Sequence, residues 1–185
     1  MNLVRFLPLA WCVFWLVPAG NGPLRAESQP GFPDFEKRVG EYVKLHKKLH
    51  GELTPLKPTH SQAEILEHQR ELARRIRETR AQSAPGEIFS PEIAAEFRRL
   101  IAITMQGPEG TRIHKSLQRS EPIRIPLRVN DTYPEKLPLQ TTPPTLLLNL
   151  PKLSEKLDYR IVGNNLVLRD VEANLIVDFL PQAIP

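Results

Sequence analysis

Five side chains in the first half of this 185-residue chain have the types and spacing of metal ligands. His46 and His50 stand four residues apart in HKKLH, and His60, Glu64 and His68 repeat the same step. On a helix, residues at i and i+4 share a face, so two imidazoles so spaced can reach one ion. An antiparallel helical pair would set His50 near His60 and His46 near Glu64, giving nitrogen and oxygen donors for nickel, cobalt or zinc. A competing explanation is equally physical. His46 falls near the centre of its helix's apolar face and can be a packed imidazole, while His60, Glu64 and His68 flank their helix's apolar face and can point into water. The glutamate of a His-Glu-x-x-His zinc protease is missing, because Lys47 holds that place.

Other chemistry is harder to assemble. There is no Gly-x-Ser-x-Gly elbow, and Gly107-Pro-Glu-Gly-Thr lacks the spacing and the lysine of a phosphate loop. Asp170 and Asp178 bracket a turn near the C-terminus, where capping and solubility on an exposed polar face explain them. The residues nominate no catalytic set and no bound cofactor other than the alternative metal.

The elements that would position these residues can be read from periodicity. Residues 34–50 carry Phe35, Val39, Tyr42, Leu45 and Leu49 at helical spacing behind Asp34 as N-cap. Thr59 with Gln62 forms a capping box for a second helix to about Ala81, with Ile65, Leu72 and Ile76 on its apolar face. Arg70, Arg74, Arg75, Arg77 and Arg80 on this helix interleave with Glu67, Glu71 and Glu78, the pattern of a solvated face. Ser90-Pro91 opens a third helix bearing Ile93, Phe97, Leu100 and Ile101, which Gly107 stops. QGPEG then reads as a turn and Thr111–Ser120 as weakly patterned. Ile123–Val129 alternates like an edge strand broken by Pro126. Prolines 134, 138, 143, 144 and 151 make a crossover, with a short strand or helical turn at Thr145–Leu150.

The closing stretch, YRIVGNNLVLRDVEANLIVDFLP from Tyr159 to Pro181, reads as an antiparallel three-strand meander with one apolar face made by Leu157, Tyr159, Ile161, Leu166, Leu168, Leu175, Val177 and Phe179. Gly163-Asn164-Asn165 supplies the first turn. Strands segregated from helices make an α+β fold: three N-terminal helices, a Pro-rich crossover and a small C-terminal meander. The pattern of Tyr159, Val162, Gly163, Leu166, Val167, Leu168, Asp170, Ile176, Val177 and Asp178 resembles the C-terminal hairpin of small exported bacterial protein families, one implicated in periplasmic nickel and cobalt homeostasis. The resemblance spans 159–181, implies export, and carries over no functional residue.

The N-terminus points to the same compartment. MNLVRFLPLAWCVFWLVPAG has one early positive charge, Arg5, a short apolar run from Phe6 to Val17, and then small residues, the grammar of a secretory signal. Cleavage after Ala19 or Ala26 fits, with Glu27 the preferred mature start. The reading divides the chain into a cleaved signal peptide (1–26), a linker (27–33), a helical region (34–107) and a Pro-rich segment with the meander (108–185), the last two forming one domain. Losing 1–26 removes Arg5, Arg25, both tryptophans and Cys12, the one cysteine. Of 25 basic residues, 23 then face 21 acidic ones, which gives no basic footprint for nucleic acid. A chain without thiols has no disulfide or thiol chemistry. The expectation is an exported, periplasmic or secreted bacterial envelope protein, non-enzymatic, whose partner is another envelope protein and whose membrane contact is through the signal segment. The alternative is a periplasmic divalent-metal binder.

Overall fold

The computed structural model describes residues 32–118, 125–134 and 143–185. The signal segment, almost all of the linker, the start of the Ile123–Val129 segment and the middle of the Pro-rich crossover lie outside the described residues. The fold is α+β. Among the described residues, five helices, α1 (Pro33–Gly51), α2 (Gln62–Thr79), α3 (Pro91–Thr104), α4 (Gly107–Gln118) and α5 (Pro144–Leu148), precede three strands, β1 (Leu157–Val162), β2 (Asn165–Asp170) and β3 (Leu175–Leu180). No described helix is long and apolar enough to cross a membrane.

Helix α1 starts one residue before Asp34, because Pro33 fits a first-turn position. Its buried stripe is Phe35, Val39, Tyr42, His46 and Leu49. The cap of α2 is Ser61, whose hydroxyl accepts from Glu64 N; Thr59 instead accepts from Ser61 N. Residues 54–61 run as an irregular connection, so α2 does not begin beside the end of α1. His50 meets His68 and Tyr42 meets Arg80, which fixes an antiparallel pair in which the first turns of α2 project past the end of α1. Ile65, expected inside, is therefore 48% exposed, whereas Leu72 and Ile76 are fully buried.

Two sequence expectations change after α3. The stretch read as a turn and a weak segment is helix α4. Gly107 takes φ +72 to reverse the chain after α3, and Gly110 then packs on the preceding backbone, where a Cβ would sit 1.7 Å from the Met105 carbonyl oxygen. Residues 125–128 form no strand; they run irregularly over the sheet. The Thr145–Leu150 region holds the helical turn α5.

The sheet has strand order β1-β2-β3, antiparallel throughout. It has two apolar faces, not one. Leu157, Tyr159, Ile161, Leu166, Leu168, Leu175, Val177 and Leu180 join the helical core. Val162, Val167 and Ile176 pack on the other side with Tyr133, Ile125, Leu127 and Phe179. Segment 130–133 also lines the outer edge of β3, through Tyr133 N to Asn174 O (2.8 Å) and Ile176 N to Asp131 O (2.9 Å), which removes that edge from solvent.

A bulge in β3 explains where Asp178 and Phe179 point. Leu168 pairs with Asp178 and Arg169 with Ile176, leaving Val177 as the extra residue. One inserted residue shifts the two-residue alternation. Val177 and Asp178 consequently share the helical side, and Phe179 turns to the other face instead of the inward one expected for it. Asp178 is fully buried, and so is Asp170, contrary to the exposed positions read from the sequence.

Candidate functional site

Burying a carboxylate demands partners for its oxygens. Asp178, turned inward by the bulge, accepts from Ile88 N (2.7 Å), Phe89 N (2.9 Å), Gly86 N (3.0 Å) and its neighbour Phe179 N (2.8 Å). These bonds pin the α2–α3 connection, residues 80–90, onto β3. Beside it, Arg80 donates to Asn130 Oδ1 (2.9 Å), Glu87 Oε2 (2.8 Å) and the Val177 carbonyl (3.1 Å), and its guanidinium lies 5.1 Å over the Tyr42 ring. Arg80 thereby ties the end of α2 to β3 and to segment 130–133.

Asp170, at the end of β2, is equally committed. Its Oδ1 accepts from Glu172 N (3.0 Å) and Ala173 N (2.8 Å), closing the β2–β3 turn. Its Oδ2 accepts from Tyr42 Oη (2.7 Å) and His46 Nδ1 (2.6 Å). Burial first, and then the Asp170 charge, push the Tyr42 phenol well above its ordinary value, so it stays a donor.

His46 is the junction. It is fully buried, with Nδ1 on Asp170 and Nε2 3.1 Å from Glu172 Oε2. Ionised carboxylate oxygens only accept, so the doubly protonated ring is the form that satisfies both contacts. Burial works against that charge, but bonds and attraction from Asp170 and then Glu172 outweigh it, and His46 is held above its ordinary value of 6.5. Glu172 also receives His50 Nε2 (2.9 Å) and Lys156 Nζ (2.9 Å), while its carbonyl takes Gln69 Nε2 (3.1 Å). Burial opposes its ionisation, yet Lys156 and His46 keep its carboxyl below the usual range.

Of the five residues with metal-ligand spacing, three gather here. His46 and His50 stack at 6.2 Å between ring centroids, and His68 meets His50 edge-on at 5.6 Å. His50, His68 and Glu172 line a hollow of about 360 Å³ with Leu53, Pro55 and Leu56. His60 and Glu64 are exposed on and before the projecting first turn of α2, and His50 is beside His68 instead of His60. Both ring nitrogens of His46 are turned to carboxylate oxygens of Asp170 and Glu172. Among the described residues, no group of three or more His, Cys, Asp or Glu side chains is placed to hold a metal. The residues that complete the cluster, Tyr42, Asp170, Glu172 and Lys156, are not legible as a set. Only the Asp-x-Glu-Ala-Asn turn pattern marks Asp170 in the sequence, and it says nothing of a histidine 124 residues earlier.

A larger cleft, about 760 Å³, opens between α1 and the α2–α3 connection. Tyr42, Leu45 and Ile88 give it an apolar floor; Arg38, Glu41 and Gln82 stand at its polar margin. Arg38 reaches across one end to donate to the Glu87 carbonyl. Among the described residues, every buried side-chain nitrogen and oxygen has a hydrogen-bond partner. Compared with known proteins, the chain matches no family model, no curated protein and no solved structure.

Proposed function

We propose that this chain is a small exported protein of the bacterial envelope that binds another envelope protein and catalyses no reaction. The carrying observation is the cleft between α1 and residues 80–90. Its volume of about 760 Å³ is within the range of formed binding pockets, and it combines an apolar floor with charged side chains of both signs. That lining suits a partner segment with an apolar anchor flanked by polar groups. The wall opposite α1 is a rigid platform, because Asp178 holds three of its backbone amides. The buried ionisable groups support a binding role. Asp170, Asp178, His46 and Arg80 are each committed to bonds that hold elements together. Export rests on the residues 1–26 pattern and the hairpin resemblance.

Site-directed photo-crosslinking in cells making the full chain tests this. A crosslinker at Gln82, in the cleft, should give a discrete adduct, and the same group at Arg70, an exposed α2 position outside the cleft lining, should not. Leu45→Glu should then abolish the Gln82 adduct. Equal labelling from both positions, or none from either, would refute the cleft as the binding place.

A further inference from the structure

The cluster around His46 has a feature that packing alone does not require. A buried histidine satisfies its donor and acceptor with one N–H and one lone pair; His46 instead faces two separate carboxylates that come from the same turn. We propose that His46 is a pH-dependent latch: doubly protonated, it fastens the β2–β3 turn to α1 through Asp170 and Glu172, and on losing one proton it lets Glu172 go.

The geometry decides which proton leaves. Asp170 is fully buried and has no solvent to replace the Nδ1 bond, so Nδ1–H stays. Glu172 is 30% exposed and touches Nε2, which gives the proton its way out to water. The neutral ring then presents an Nε2 lone pair to a carboxylate oxygen at about 3.1 Å, an acceptor facing an acceptor. Glu172 retains other holds, Lys156 before β1 on the same Oε2 and the half-exposed His50 of α1 on Oε1. The carboxylate therefore swings outward, toward the hollow that His50 and His68 line.

The charged surroundings set the direction of the effect. Asp170 and Glu172 favour the imidazolium from the sheet side. Lys156 shares Glu172 Oε2 with His46 and competes with the ring for that oxygen, while His50 holds Oε1 and His68 packs on His50. Arg80 acts at the far end, over the Tyr42 ring, and Glu155 bears on Lys156. Gln69 keeps the turn's backbone on α2 in either state, so the turn loosens without detaching. The raised position of His46 above 6.5 agrees with this arrangement and places release above that value.

The test combines ring-nitrogen NMR of His46 with amide hydrogen exchange on the purified full chain, from pH 6 to 9. At pH 6 both ring nitrogens should be protonated. As pH rises Nε2 should lose its proton, leaving the Nδ1–H tautomer. Exchange at the Glu172 and Ala173 amides, corrected for its intrinsic pH dependence, should rise roughly tenfold over the same interval, as for about 1.4 kcal/mol of lost restraint. The Ile88 and Phe89 amides, held by Asp178, should stay flat. In Glu172→Gln, which preserves the side chain's volume, His46 should titrate at lower pH and the turn's exchange should lose its pH-dependent rise. A neutral His46 ring at pH 6, or turn exchange that is flat while His46 titrates, would overturn the latch.

Discussion

A buried imidazole between two carboxylates couples folding stability to pH from both directions. His46 titrates above its unfolded value of 6.5, so its contribution is complete below that pH and is lost as pH rises through the raised folded value. Glu172 titrates below its unfolded value of 4.5, so its contribution is present above that pH and is lost as pH falls through the depressed one. Glu87, also lowered, adds to the acid limb. The melting temperature should therefore be highest between about 4.5 and 6.5 and fall on both sides. Thermal melts of wild type and His46→Gln across pH 4–9 check this, and the variant should lose the alkaline limb. An alkaline limb of equal size in both would assign it to other groups. The sequence marked His46 correctly as a member of the apolar stripe of α1, and its step to His50 showed that the two rings share a face. It could not show Glu172, because nothing local pairs a turn residue with a helix 126 residues away.

At the scale of elements, the least predictable feature is the bulge in β3. Alternation along LIVDFL is regular in the sequence, so Phe179 reads as inward and Asp178 as outward, and one extra residue in the register reverses both. That reversal delivers a carboxylate to the backbone amides of residues 86–89. Asp178→Ala would orphan those donors at a buried position. A loss of about 1–3 kcal/mol is expected for each buried group left without its partner, moderated where water enters. The measurement is urea unfolding, with exchange at Ile88 and Phe89 rising far more than exchange in α1. Uniform exchange changes would mean that Asp178 acts on the whole fold and not on this connection. Helices α1 to α3 were legible because their apolar spacing and their Ser, Thr and Pro signals agree. Helix α4 was not, because Gly107, Pro108 and Gly110 are breakers by composition and serve here as the reversal and close approach that let it start.

For the whole molecule, the meander is the body onto which the helices fold, sharing one apolar cluster with α1, α2 and α3. Ending the chain at Gly163 removes β2 and β3, and with them Asp170, Asp178 and the inner row of Leu166, Leu168, Leu175, Val177 and Leu180. The helices would keep their mutual contacts, such as Phe35 on Phe97, but lose most of the sheet that covers their apolar stripes, and cooperative unfolding should vanish. Calorimetry decides: a sharp endotherm surviving in the truncated chain would show that the helices form a unit by themselves. The α+β division was readable because the sequence segregates its strand-like and helix-like periodicities. The second sheet cover was not, because the alternation of Ile125 and Leu127 reads as an edge strand, and Tyr133 stands alone among turn residues.

The bonds that close this structure also dictate when it can form. Tyr42 meets Asp170 across 128 residues, Arg80 meets Val177 across 97, and Ile88 meets Asp178 across 90. Each such closure costs chain entropy before any contact compensates, and topologies dominated by distant contacts fold slowly. A chain emerging N-terminus first from a ribosome makes α1 long before Asp170 and Glu172, whose carboxylates anchor it. The native partners of α1 and of the α2–α3 connection are therefore complete only when the final strands exist.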